Sequence, residues 1–159
     1  MRIRVIGEDG MEVYKRISPS DHHMADAFLA ALEDERKNCL YIEELSQIAV
    51  DKSHKDLLSL IKLDEKKHAF LLGCLFKKLT GKDCASSKPT RKSAGKVLAK
   101  EYEETFFYLL DAADFYRSIY SSTSNNDIKD AIFEIIVDEQ NNALRVEHLL
   151  NSLNRRNFR

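Results

Sequence analysis

Glu65 and His68 lie three residues apart in Asp64-Glu65-Lys66-Lys67-His68, so in a helix both leave from one face. Leu58, Ile61, Leu72, Leu75 and Leu79 continue the same three-and-four spacing on either side, the pattern of a stripe buried in a helical bundle. A carboxylate and an imidazole in such a stripe point into the core, where an unpaired charge costs on the order of several kcal/mol. They need partners, protons or a metal ion. Candidate partners are Glu35, Glu139 and either Glu104 or, one turn away, Glu101. Carboxylate oxygen with imidazole nitrogen suits iron, manganese or zinc better than copper(I), which prefers sulfur. Two divalent ions would neutralise four such carboxylates.

Four helices must bring these residues together. Ser18-Pro19-Ser20-Asp21 marks a helix start, with a capping serine, proline at the first helical position and an acid in the first turn. The first helix is predicted over about 19–51, its stripe formed by Phe28, Ala31, Glu35, Cys39, Ile42, Leu45 and Ile48. After a short break, with Ser53 as cap, the second runs over about 54–80 and stops at Gly81. So short a break makes the two an antiparallel pair. Glu35 and Glu65 stand about equally far from it, and at roughly 1.5 Å of rise per residue they reach nearly the same height. A polar stretch over 82–93 precedes a third helix, about 94–121, with Val97, Glu101, Glu104, Tyr108, Phe115 and Ile119 as inward candidates. The fourth is predicted over about 127–154.

Helix four repeats helix two. Ile132, Ile135, Glu139, Asn142, Val146, Leu149 and Leu153 match Leu58, Ile61, Glu65, His68, Leu72, Leu75 and Leu79 position for position, and Asp138 matches Asp64. The chain is therefore expected to be all-α: two antiparallel helical hairpins packed as a four-helix bundle over residues 19–159. Arg2-Ile3-Arg4-Val5-Ile6 and Met11-Glu12-Val13-Tyr14 alternate polar and apolar around Gly7-Glu8-Asp9-Gly10, which predicts a small β-hairpin or extended arm over residues 1–18. The hairpins can join by a short turn or by a crossover along the bundle. A second helix of about 27 residues is about 40 Å long. A linker of about 12 residues spans at most about 43 Å, so a crossover would be nearly taut. A taut connector also favours exchange of hairpins in a homodimer.

Over about residues 20–154 the ligand pattern resembles the ferritin-like superfamily, in which two helices each bring a Glu and two others each bring Glu-x-x-His to a pair of metal ions. Within it the chain is most similar to the rubrerythrin di-iron domain, whose third helix carries two glutamates one turn apart, as Glu101 and Glu104 do here. The resemblance implies a crossover between helices two and three, and two iron ions, with manganese or zinc as alternatives. The implied ligands are Glu35, Glu65, His68, Glu101, Glu104 and Glu139. It implies an oxidoreductase of peroxidase or ferroxidase type acting on peroxide, oxygen or ferrous iron. It also implies that His68 and one of Glu101 and Glu104 exchange as ligands with redox state. Two departures stand out. Asn142 occupies the place of the second histidine, and an amide oxygen is a weaker, neutral ligand. No Cys-x-x-Cys pair is present, so electrons are expected from a separate donor such as a rubredoxin-type protein.

Composition narrows the alternatives. With 5 glycines and 2 prolines in 159 residues, long helices are favoured over many turns. A formal net charge of −1 gives no bulk attraction to nucleic acid or anionic membrane. No apolar run is long enough to span a bilayer, and the first residues are too charged for a signal peptide. Cys39, Cys74 and Cys84 are scattered and odd in number, which points to a reducing, cytoplasmic setting rather than a disulfide scaffold. His22, His23 and His54 are expected at the surface. Tyr108 is the best candidate to hydrogen-bond a ligand carboxylate. Beside the enzyme stand two other readings: a metal-binding or storage bundle with an incomplete site, and a structural bundle holding no metal.

Overall fold

The computed structural model describes residues 2–6, 12–16, 21–49, 51–84, 94 and 97–157. Strands β1 (Arg2–Ile6) and β2 (Glu12–Arg16) pair antiparallel, with Arg2 opposite Arg16 and Ile6 opposite Glu12. Four helices follow: α1 (Asp21–Ile48), α2 (Lys52–Thr80), α3 (Leu98–Ser122) and α4 (Asn126–Asn157). The glycine-bounded turn at 7–10, the Ser18-Pro19-Ser20 start signal and linker residues 85–93 lie outside the described residues.

The helix ends follow from local chemistry. Asp51, not Ser53, caps α2: its carboxylate accepts the His54 backbone N–H at 2.9 Å. At the other end Gly81 takes φ 71°, and its N–H donates to the Lys77 carbonyl at 2.8 Å. That left-handed conformation is where glycine is favoured. Asn125 Oδ1 accepts the N–H groups of Asp127 and Ile128 at 3.0 and 3.3 Å and so starts α4.

Cross-helix bonds fix the directions. Glu43 of α1 pairs with Lys62 of α2 at 2.7 Å, and Glu35 faces His68, so α1 and α2 run antiparallel. Glu44 accepts the Ala94 N–H, Tyr41 donates to Glu101 and Tyr116 donates to Glu35, so α1 and α3 are antiparallel as well. His54 meets Ser152, Asp64 meets Arg145 and Lys67 meets Glu134, which sets α4 against α2 in the same way. It follows that α2 and α3 run in the same direction. Thr80 and Leu98 lie at opposite ends of the bundle.

The interior has three storeys. At one end Phe28, Leu32, Leu72, Ile119, Ile132 and Ile135 form an apolar cluster. At the other, Ile42, Leu45, Leu58, Leu109, Val146 and Leu149 form a second. Between them lie buried Glu35, Asn38, Glu65, His68, Glu139 and Asn142. The stripes of α2 and α4 match the spacing in the sequence, except that Leu79 turns outward. On α1 Ile48 is exposed, and Asn38 rather than Cys39 faces fully inward.

Helix α3 departs most from expectation. Its buried residues are Glu101, Tyr102, Thr105, Leu109, Ala113, Tyr116 and Ile119. Val97 is exposed, and Tyr108 and Phe115 are only partly buried. No helix is long and apolar enough to cross a membrane among the described residues.

Candidate metal centre

Glu35, Glu65, His68 and Glu139 converge in the middle storey, each 3% exposed or less. One ligand atom from each lies within 4.8 Å of all the others. Donors at about 2.0–2.2 Å from an ion stand up to roughly 4.2 Å apart across it. Around a four-coordinate tetrahedral ion neighbouring donors stand roughly 3.4 Å apart, so the four must draw together before they close on one ion. The group could hold a metal ion.

His68 is the hinge of the cluster. Its Nδ1 is 3.0 Å from Glu139 Oε1 and 3.6 Å from Glu35 Oε2. Its Nε2 is 3.3 Å from Asp138 Oδ2 on α4. With the proton on Nε2 and donated to Asp138, the Nδ1 lone pair faces the carboxylates, the tautomer a metal-ligating histidine needs. Asp138 is itself gripped by Lys67. Tyr116 donates its hydroxyl to Glu35 Oε1, so Tyr116 makes the contact expected of Tyr108.

The remaining oxygens are unsatisfied. Among the described residues, both oxygens of Glu65, Oε2 of Glu35 and Oε2 of Glu139 lack a hydrogen-bond partner, as does Asn142 Nδ2. Buried polar atoms are rarely left so, and several carboxylate oxygens aimed at one point are an arrangement a cation satisfies.

Without a cation, protons do this work. Burial, then the charges of Glu35 and Glu139, raise Glu65 well above the usual carboxyl range. Burial and the Glu35 charge, partly opposed by His68, push Glu139 up to about 7. Burial disfavours a charged His68, but hydrogen bonds and charge from Glu139 and Glu35 outweigh it and raise the imidazolium to about 10. Burial would also raise Glu35, yet His68, Glu65 and Tyr116 together hold it below its ordinary value. The metal-free cluster is thus a buried imidazolium set among partly protonated carboxyls.

Of the six expected ligands, four come together and two do not. Glu104 is exposed and lies 3.6 Å from Lys100 on its own helix. Glu101 is buried, but it accepts the Tyr41 hydroxyl in the neighbouring apolar cluster and is not among the four converging residues. At the height of the cluster α3 presents Tyr108 and Tyr116 instead. The charges of Glu35, Glu65 and Glu139 add to burial in raising the Tyr108 hydroxyl.

His54 was expected at the surface, and the structure corrects this. His54 is buried, with Nδ1 3.0 Å from the Tyr102 hydroxyl and Nε2 2.6 Å from Ser152 Oγ, tying three helices at one end. Its partners lie 48 and 98 residues away, and nothing in its local spacing marks it. Asp138 had a signal, the Asp-Glu pair repeated in α2 and α4, and Arg145 had none. A pocket of about 310 Å³ lined by Arg36, Cys39, Glu65, Lys66, Ala69 and Phe70 runs between α1 and α2 to the cluster.

No protein-family model matches the chain, and no curated protein matches it.

Proposed function

We propose that this protein is a ferritin-like four-helix bundle that binds a divalent transition metal through Glu35, Glu65, His68 and Glu139, with iron first and manganese or zinc next. The observation that carries the reading is the convergence of four donors in a buried layer, most of their carboxylate oxygens without a hydrogen-bond partner among the described residues. That α2 and α3 run in the same direction is consistent with the ferritin-like connection. Bound iron would supply the redox chemistry for reducing peroxide or for oxidising ferrous iron with oxygen, with electrons from a separate donor. The chain's own part is positional. Asp138 orients the His68 ring, Tyr116 fixes Glu35, and the two apolar clusters keep bulk water from both sides.

The test is metal content by elemental analysis of untagged protein, followed by peroxide consumption after ferrous loading. At least one ion per chain is expected, lost in Glu65→Ala and His68→Ala. Full metal content in both variants would end the assignment.

A second reading has its own support. His68 as imidazolium between Glu35 and Glu139, with Glu65 protonated and Glu139 partly so, offsets most of the buried charge without metal. A structural bundle of this kind would melt at the same temperature with and without chelator.

A further inference from the structure

We infer that Arg145 is a resident cation that closes the second half of the centre, so that the bundle holds one ion rather than two and Asn142 serves it as a hydrogen-bond donor, not a ligand. This rests on the metal-binding reading above.

The two halves of the middle storey are related by the repeat of α2 in α4. His68 follows Glu65 by three residues and reaches across to Asp138, the residue before Glu139. Asn142 follows Glu139 by three, and the residue that matches Asp138 is Asp64, just before Glu65. Here the connection is not direct. Arg145 Nη1 donates to Asn142 Oδ1 and, at 2.7 Å, to Asp64 Oδ2. The guanidinium thus takes the place that an imidazole N–H holds on the other side.

This fixes the chemistry of Asn142. A guanidinium has donors only, so the amide must turn its oxygen toward Arg145. The oxygen is the one atom of the amide that could ligate a cation, and one of its two lone pairs is already engaged by Arg145. The other end, Nδ2, is buried without a partner among the described residues. It has no lone pair to give a metal, but it can donate to a carboxylate oxygen or to a metal-bound water. A second divalent ion at Oδ1 would also lie beside a positive charge anchored by Asp64. Helix α3, which would have to supply a further carboxylate, turns Glu104 to solvent and gives Glu101 to Tyr41.

The experiment is equilibrium dialysis of the full chain against cobalt(II), read as ions bound per chain. Wild type is expected to saturate at one. The variant carrying Asn142→His and Arg145→Leu together is expected to take a second ion, ~10- to 100-fold weaker than the first because supporting groups are missing. Two ions in wild type would overturn the inference. So would a double variant that binds the first ion normally and no second ion at millimolar cobalt. If the double variant does not fold, the wild-type count decides: one upholds the inference and two overturns it. No cobalt in wild type at all removes the metal reading, and this inference with it.

Discussion

His68 Nε2 lies 3.3 Å from Asp138 Oδ2, so the imidazole of α2 is aimed by the helix that packs beside it. The residue after that aspartate, Glu139, meets the other ring nitrogen at 3.0 Å. Two consecutive residues of α4 thus grip both edges of one ring, and rotation of His68 would break both contacts. Such outer contacts typically matter ~10- to 100-fold to metal affinity. Asp138→Ala is expected to lower affinity by that factor while leaving the helical content unchanged. A calorimetric titration with unchanged affinity would show that the ring is aimed by packing alone.

Ligand binding to the folded state alone raises stability by about 2.7 kcal/mol at 100-fold excess over Kd. For a domain of this size that is about 5–10 °C in Tm. Ferrous iron, manganese or zinc is therefore expected to raise the melting temperature of chelator-treated protein by about that amount. Glu65→Gln should abolish the rise. Because Glu65 is held protonated in the metal-free state, the neutral amide should leave the metal-free Tm nearly unchanged.

The pH dependence should differ in sign between the two forms. Glu65 and Glu139 have folded values above their ordinary 4.5, and His68 rises from 6.5 to about 10. The folded metal-free protein then binds more protons than the unfolded chain, so its stability falls as pH rises from roughly 5 toward 10, on the order of a few kcal/mol. Glu35 and Asp138 are held low and act oppositely, so their contribution is lost on acidification below that window. Metal binding needs the carboxylates ionised and Nδ1 free, so affinity should climb through the same range. At pH 7 loading should release at least one proton, visible as a binding enthalpy that changes with the buffer's ionisation enthalpy. Buffer-independent enthalpy would contradict this.

Glu104→Gln is expected to change neither metal content nor Tm, since Glu104 stands in solvent beside Lys100. Glu101→Gln should weaken the bond to the Tyr41 hydroxyl and cost about 1 kcal/mol. It too should leave metal content intact. Loss of metal in either variant would restore α3 to the ligand set.

The parts of this architecture legible in the chain are those written as strict spacing. Leu58, Ile61, Glu65, His68, Leu72 and Leu75 keep one phase, and all six are buried. Helix α4 keeps the same phase, which placed Glu139 and Asn142 correctly. Helix α3 has no such stripe. Glu101, Glu103 and Glu104 offer three acids within one turn, and the inward face is completed by Tyr102, Thr105 and Tyr116, whose polar tips disguise a buried side. The choice between Glu101 and Glu104 depended on partners contributed by α1: Tyr41 draws one in, and nothing draws the other. His54 was hidden for the same reason. The helix directions needed distant contacts as well, such as Glu44 with Ala94.

Glu35, Glu65 and His68 belong to the first pair of helices, and Glu139 belongs to the second. A bound ion would therefore act as a rivet between two halves of the chain, each of which lacks part of the socket. The rivet takes no account of covalent continuity. Were two copies to trade their second halves, each socket would be rebuilt donor for donor, and the same ion would then hold two chains together as firmly as it had held one.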